Sequence, residues 1–301
     1  MQVSEKPSLI EMLLPLLPWP TIEMVDLNAP IDGHRNRVVR LEASDGPRIL
    51  KLYESEDCWE VEAVALRMVG GESAPRILKT GSFADAGFWT VISVLPSIPW
   101  DRDALISGAA FTALGRHVKS IHSRRAAFFG SIGTSGERFG DWCGYVERSY
   151  ARSRDYLSRH SLMPSTFFNE IDLRFHQGRT IIASVDRAAL IHRDLRPANI
   201  AMSCDDAWAC NGLIDFEHAV FGDPLMDVSR LHDEVLRGRK EWEDSFWEGY
   251  DPDLECADRF AECSGFYDLL RYFGGMRFAL SNGDQPFFLA NLTAVNRMLD
   301  E

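Results

Sequence analysis

The chain has 301 residues, of which 46% are hydrophobic and 26% are charged, a composition typical of a globular protein with one large or two modest domains. Its net charge of −13 argues against a nucleic-acid partner, because a protein that binds the phosphate backbone carries the opposite sign. No run approaches the roughly 20 apolar residues that a membrane helix needs, and the apolar stretch 9–19 contains two prolines and a glutamate. We therefore expect a cytoplasmic protein with neither a nucleic acid nor a membrane as its partner.

The six cysteines form no C-x-x-C pair and are not interleaved with histidines at the spacing of a zinc site. Scattered cysteines of this kind are typical of packing residues. No disulfide framework is predicted.

The N-terminal part of the chain has the pattern of a β-hairpin. Residues 37–41 and 49–53 are short runs rich in β-branched and aromatic side chains, and the strong turn sequence 44–47 separates them. Because side chains alternate across a strand, Lys51 faces away from the leucines on either side of it. We therefore single out Lys51 as a candidate functional residue.

Helical patterns dominate the middle of the chain. A second strand pair is predicted over 74–78 and 88–94. Three segments have helical composition or an apolar rhythm near 3.6 residues: 59–68, 111–122 and 142–157. The run 128–140, rich in glycine and serine, is predicted to be a loop.

The negative charge is concentrated in the last third of the chain. Residues 201–301 contain 21 Asp and Glu against 8 Lys and Arg, whereas the first 200 residues contain 24 of each. Two explanations stay open: a set of solvated helix faces, or an acidic pocket that attracts a cationic substrate.

The stretch 190–231 contains a constellation suited to phosphoryl transfer. Asn199 follows Asp194 by five residues in the order H-x-D-x-x-x-x-N, which is the spacing of the kinase catalytic loop, and Asp215 follows a short apolar run. The reaction needs a carboxylate beside the acceptor hydroxyl, which Asp194 could supply. It also needs oxygen ligands for Mg²⁺, and the amide of Asn199 with the carboxylate of Asp215 is sufficient.

A second pattern begins at Asp215, reading Ile214-Asp215-Phe216-Glu217 and then Gly222-Asp223-Pro224 and Asp227. With the catalytic loop, it resembles the aminoglycoside phosphotransferase and choline kinase superfamily, small-molecule kinases with a protein-kinase-like fold. The resemblance implies an α+β, two-lobed fold. A small antiparallel β lobe with one key helix is expected over 1–96, and a larger, mainly helical lobe over 97–301.

The resemblance also implies how the nucleotide binds. Lys51 would hold the phosphates and pair with Glu62 on the next helix, with Glu60 as the alternative partner. The turn 32–36 sits where the fold places its phosphate-covering loop. The interlobe hinge, whose backbone groups bind the base of ATP or GTP, corresponds to Ser93, Val94 and Leu95.

The residues after the catalytic loop suggest structural and substrate roles. Asp223-Pro224 suits the first positions of a helix, and Asp227 is expected to brace the catalytic loop. Glu217 could reach the substrate or stand as a structural acid beside the metal. Trp242 and Trp247 lie among acidic residues, in helices that close over the substrate in the family, and are candidates for an aromatic wall beside a cation.

We therefore predict a kinase that transfers the γ-phosphoryl group of ATP, or of GTP, to a hydroxyl of an antibiotic or related small molecule, cations included, with Mg²⁺ as cofactor. A monomer or homodimer is expected. Arg193 stands where most antibiotic kinases of the family have glycine. The alternatives are a metabolic kinase of the choline, amino-sugar or homoserine type and a non-catalytic kinase-like binding protein. A protein kinase is disfavoured, because Glu217 replaces its glycine and no A-P-E segment follows.

Overall fold

The computed structural model describes residues 9–19, 21–27, 36–83, 87–98, 107–161, 163–204, 206–251 and 255–300. A smaller lobe contains an antiparallel sheet, and a larger lobe is mainly helical, which confirms the predicted α+β, two-lobed fold. The predicted boundary after residue 96 stays a prediction. In the ranges given above, no helix is both long enough and apolar enough to span a membrane.

The small lobe is built on a five-stranded antiparallel sheet with the order β1-β2-β3-β5-β4. Its strands are β1 (Thr21–Asp26), β2 (Arg37–Ala43), β3 (Gly46–Tyr53), β4 (Ile77–Phe83) and β5 (Gly87–Ser93). The predicted hairpin is β2–β3, which pairs Arg37 with Leu52 and Ala43 with Gly46. The short helix α1 (Leu9–Leu13) packs with Leu50 in an apolar cluster, whereas Lys51 bonds to α2 (Glu56–Val69). The alternation of side chains along β3 therefore directs Lys51 away from the α1 side.

The helices of the large lobe pack closely on one another. They are α3 (Gly108–His122), α4 (Trp142–His160), α5 (Ser165–Ile182), α6 (Leu225–Leu231), α7 (Lys240–Tyr250), α8 (Glu255–Asn282) and α9 (Gln285–Asp300). Two glycines allow α3 and α7 to approach: a Cβ at Gly115 would lie 2.3 Å from the carbonyl oxygen of Phe246, and one at Gly249 would lie 2.1 Å from that of Thr112. A π-helical turn, His232–Leu236, continues α6.

Short strands support the catalytic loop. A second sheet has the order β6-β9-β12-β7-β8. It consists of β6 (Arg125–Ala126), β7 (Phe129–Ser131), β8 (Arg138–Phe139), β9 (Ala188–Ile191) and β12 (Val220–Gly222). The hairpin β10 (Ile200–Cys204) and β11 (Trp208–Leu213) lies beside the site. The prediction of a loop over 128–140 was incomplete, because β7 forms there by pairing with β12, a strand far away in sequence.

All six cysteines are free thiols, which agrees with the predicted absence of a disulfide framework.

Candidate active site

The catalytic loop brings Asp194 and Asn199 into contact. The buried strand β9 leads into the loop, and a short 3₁₀ turn, Pro197–Asn199, closes it. The amide nitrogen of Asn199 donates to the carbonyl oxygen and to Oδ2 of Asp194, both at 2.9 Å. Arg196 Nε donates to the same carboxylate at 3.0 Å. The loop therefore fixes the carboxylate of Asp194 through two hydrogen bonds to its Oδ2.

Asp227 braces this loop from α6, as the sequence suggested. Its carboxylate accepts hydrogen bonds from the backbone N–H groups of His192 and Arg193, each at 2.6 Å, and lies 3.1 Å from His122 Nε2. Burial alone would raise the pKa of Asp227, but the hydrogen bond and charge of His122 and the charge of His192 hold that pKa below its ordinary value. Arg193 adopts a φ of 68°, in the left-handed region.

Lys51 is the centre of a cluster of acids, in which Glu62 is buried and Asp215 and Glu217 are half-buried. Its Nζ lies 2.7 Å from Glu62 Oε2 and 3.2 Å from Glu217 Oε2, and it also donates to Asp215 Oδ1. Tyr53 donates a further hydrogen bond of 2.8 Å to Glu62. The predicted partner of Lys51 is therefore Glu62. Glu60, the alternative, instead accepts hydrogen bonds from Thr134.

Burial and charge shift the pKa values in this cluster. Burial would lower the pKa of Lys51, but the charges of Glu62 and Asp215 raise it well above its ordinary value, so the ammonium stays protonated. Burial raises the pKa of Glu62 and of Glu217, against the opposing effect of Lys51. The pKa of Asp215 is lowered, because the charge and hydrogen bond of Lys51 outweigh its burial.

The acid cluster suits a divalent cation. Carboxylate oxygens of Glu62, Asp215 and Glu217 lie within 4.8 Å of one another, with one ammonium among them. Asp215 follows β11 with a φ of 70°. The backbone N–H of Ile214 donates to the carbonyl oxygen of Asn199 at 3.0 Å, which joins this corner to the catalytic loop. Such hard oxygen donors fit Mg²⁺.

The predicted hinge lies at the end of β5. The backbone N–H of Ser93 donates to the carbonyl oxygen of Arg76 at 2.9 Å. A Cβ at Gly212 would lie 2.8 Å from Leu95 Cδ1, so the segment that contains Val94 passes beside the hairpin of β10 and β11. From this region Ile92 contributes to the wall of the cleft. The predicted phosphate-covering turn lies outside the described residues except for Asn36, which donates to Glu217.

Trp242 and Trp247 are not among the described residues that line the cleft, which corrects the expected substrate role. Trp242 stacks on Phe111 of α3, with 4.8 Å between ring centroids. Trp247 is buried and lies 5.4 Å from the ring of Phe260. Trp242 and Trp247 therefore pack α7 against the neighbouring helices α3 and α8. Their spacing along the helix indicates a face that is buried in the core.

A cleft of about 820 Å³ extends from the acid cluster into the large lobe. Aromatic side chains form part of its wall: Tyr145, Tyr150, Phe273, Phe278 and Phe287. Five arginines also line it: Arg193, Arg196, Arg230, Arg271 and Arg277. These arginines were not predicted as a group, because they come from the catalytic loop, α6 and α8 and have no common spacing in the sequence.

The acidic last third of the chain does not produce an acidic cleft. Asp223 bonds both oxygens to the guanidinium of Arg259, and Asp268 pairs with Arg237 and Arg271. Apart from the acid cluster at Lys51, the described carboxylates that line the cleft are those of Asp194 and Asp284. The idea of an acidic pocket for a cation is therefore not supported.

The model of the phosphotransferase enzyme family matches residues 26–260. The chain belongs to this family. It is a phosphotransferase with a hydroxyl group as acceptor, which confirms the resemblance stated above. A comparison with curated protein sequences found no match.

Solved structures of aminoglycoside phosphotransferases have the same fold. Aminoglycoside phosphotransferase APH(4)-Ia matches with a TM-score of 0.73 and 14% identity over 93% of this chain and 94% of that chain. A thermostable mutant of that enzyme, in a ternary complex with AMP-PNP and hygromycin B, matches with a TM-score of 0.70 and 16% identity over the same shares. The GDP complex of aminoglycoside 2'-phosphotransferase-IIIa matches with 0.71 and 15% over 96% of both chains.

Proposed function

We propose that this protein is a small-molecule kinase that transfers the γ-phosphoryl group of ATP, with GTP as the alternative donor, to a hydroxyl group. The observation that carries the proposal is that one cleft is lined both by the Asp194–Asn199 pair and by the Lys51–Glu62–Asp215 cluster. Solved structures of similar enzymes in complex with AMP-PNP, ADP and GDP support a nucleotide as the donor.

Each group has a chemical role in this proposal. Lys51, held by Glu62, contacts the nucleotide phosphates, and the backbone of Ser93, Val94 and Leu95 contacts the base. Asn199 and Asp215 would hold Mg²⁺, and Glu217 is a further acid beside Asp215. When bound, the ion neutralises the charge on the phosphates.

Asp194 orients the acceptor hydroxyl. The acceptor oxygen bonds to the γ-phosphorus while the bond from that phosphorus to the bridging oxygen of the β-phosphate breaks. The nucleoside diphosphate leaves, and the hydroxyl proton passes to the carboxylate of Asp194. Because the transition state is loose, positioning contributes more than removal of the proton.

The identity of the acceptor separates two versions of this function. An antibiotic-resistance kinase is supported by relatives that bind hygromycin B and kanamycin. A metabolic kinase is supported by the arginine-lined cleft, because arginines repel the amino groups of aminoglycosides. The second version therefore has the support of this chain's own residues.

The test is a nucleotide-consumption screen with hydroxylated acids, amino alcohols, sugars, nucleosides and antibiotics, followed by mass spectrometry of the product. Asp194→Ala should abolish transfer and leave Mg²⁺-dependent binding of AMP-PNP largely intact, since Asp194 acts on the acceptor. Full activity of Asp194→Ala, or the absence of Mg²⁺-dependent nucleotide binding by the unmodified protein, contradicts the assignment. The latter outcome would favour the non-catalytic alternative.

A further inference from the structure

The acceptor side of the cleft contains a concentration of positive charge. Arg193 and Arg196 come from the catalytic loop, Arg230 from α6, and Arg271 and Arg277 from α8. Arg193 and Arg277 are exposed, and the other three are half-buried. Five guanidinium groups in the wall of one cleft favour a small molecule that carries negative charge.

The cluster adjoins the proposed catalytic carboxylate. Arg196 Nε lies 3.0 Å from Asp194 Oδ2, and an Arg230 terminal nitrogen lies 3.5 Å from Asp194 Oδ1. Burial lowers the pKa of Arg230; the charges of Glu234 and Asp194 oppose this shift, and those of Arg271 and Arg196 add to it. These arginines are therefore close enough to influence one another electrostatically, and two of them lie beside the Asp194 carboxylate that would orient the acceptor hydroxyl.

The carboxylates that partly balance this charge lie behind the cleft. Arg271 pairs with Asp233 and with the buried Asp268, and Arg230 pairs with Glu234. None of these three acids is among the described residues that line the cavity. They hold the arginines in place and leave positive groups in the wall.

Arg193 adds a charge that is not part of an ion pair among the described residues. No carboxylate there lies within 4.0 Å of its guanidinium, which instead lies 5.8 Å from the ring centroid of Tyr145. Apart from the acid cluster at Lys51, Asp194 and Asp284 are the described acids that line the cleft, against five arginines. The described lining there has more arginines than acids, with aromatic surface beside it.

The arginines belong to the acceptor rather than to the nucleotide. Their ion pairs connect them to Asp194, to Asp233 and Glu234 of the π-helical turn and to Asp268 of α8. The phosphate corner has its own cation, Lys51, and three carboxylates that suit a metal ion. Arginine presents a planar fork that matches the two oxygens of a carboxylate or phosphate.

We propose that the acceptor is a hydroxylated small molecule that carries an oxyanion, a carboxylate or a phosphate ester, bound by this arginine cluster with its body against the aromatic wall. This inference rests on the proposed kinase function and specifies its substrate class. An amine in the same place would face like charges and lose its hydration.

The test is to measure binding of matched compounds by titration calorimetry in the presence of AMP-PNP and Mg²⁺. One series is gluconate, gluconamide and glucamine. A second series, with an aromatic body, is 4-(hydroxymethyl)benzoate, 4-(hydroxymethyl)benzamide and 4-(hydroxymethyl)benzylamine. A third, glucose 6-phosphate, glucose and glucosamine, separates phosphate from carboxylate as the anion. In at least one series the anion should bind about tenfold or more tightly than its neutral and cationic forms.

Variants test whether the arginines cause this preference. Arg277→Met and Arg193→Met should each reduce the anion preference by about tenfold, and the corresponding lysine variants should retain part of it. Arg297→Met is the matched control, since Arg297 is an exposed arginine on α9 and does not line the cleft. It should keep the preference of the unmodified protein.

Equal affinity across every series, tighter binding of the amines, or an anion preference that survives both methionine variants would overturn the inference. If AMP-PNP still binds with Mg²⁺ in those cases, the kinase function stands and only the acceptor class is wrong. If AMP-PNP does not bind, the proposed function fails, and the acceptor class with it.

Discussion

The carboxylate of Asp227 on α6 accepts hydrogen bonds from two consecutive backbone N–H groups, those of His192 and Arg193, each at 2.6 Å. His122 Nε2, at the end of α3, lies 3.1 Å from Oδ2 of Asp227, the oxygen that also accepts from His192. The Nδ1 of His122 lies 2.9 Å from the hydroxyl of Tyr250 on α7. One buried acid therefore joins α3, α6 and α7 to the loop that carries Asp194.

Asp227→Asn should disturb this loop. An amide has one oxygen where the carboxylate has two, so one backbone N–H or His122 loses its acceptor. We expect the free energy of unfolding to fall by about 2 kcal/mol and kcat to fall at least about tenfold. Urea unfolding and steady-state kinetics measure these effects. Asp244→Asn, at an exposed position of α7, is the control and should change neither.

Asp227 should also make stability depend on pH. Its folded pKa is lowered from the ordinary value of 3.8, despite burial, by His122 and His192. A group with a lowered folded pKa stabilises the protein above its unfolded pKa, and this contribution is lost as pH falls through the folded value. The free energy of unfolding should therefore decrease below about pH 4. In Asp227→Asn the decrease should be shallower, and an identical slope contradicts the role assigned to this acid.

Lys51→Met should destabilise the protein through the acids that it leaves behind. Glu62, Asp215 and Glu217 would then lie within 4.8 Å of one another without an ammonium among them. We expect a loss of about 3 kcal/mol without metal, and a larger gain in Tm on addition of Mg²⁺ than in the unmodified protein. Thermal unfolding with and without MgCl2 measures both. Lys119→Met, at an exposed position of α3, is the control, and an equal Mg²⁺ effect in all three proteins counts against a metal site here.

Gly249→Ala should test the contact between α3 and α7. The added Cβ would lie 2.1 Å from the carbonyl oxygen of Thr112, a backbone atom that can move only with its helix. We expect a loss of about 2 kcal/mol in the free energy of unfolding. Gly265→Ala on α8 has no atom within 4 Å of the new Cβ and should stabilise by up to about 1 kcal/mol. Similar stabilities of the two variants would show that this contact is less tight than the structure indicates.

Several local features followed from sequence patterns alone. The hairpin β2–β3 was predictable because its turn residues and its β-branched runs are adjacent in the chain. The pairing of Lys51 with Glu62, 11 residues apart on a strand and the helix that follows it, was instead an expectation from the family resemblance. The short strands β6 and β7 were not predicted, because β6 pairs with β9 and β7 pairs with β12, and these partners are distant in sequence.

The aromatic residues of α7 show how a local pattern can mislead. Trp242 and Trp247 stand among acids in the sequence, which suggested a wall for a cation. In the folded chain they pack against Phe111 and Phe260. The apolar periodicity of a helix identifies a buried face, but it does not distinguish a core from a substrate site.

The sequence by itself indicated the reaction class, because Asp194, Asn199 and Asp215 lie in one stretch of the chain. Asp194 and Asn199 have the spacing of a kinase catalytic loop, and such a spacing can be read without the tertiary structure. Only the tertiary structure decided the charge of the acceptor side. Part of the negative charge of the last third is paired with arginines that are distant in sequence, as Asp223 is with Arg259 at a separation of 36. Other arginines converge on the cleft from separate elements. A net charge counted along the chain therefore did not reveal the arginines that line the cleft.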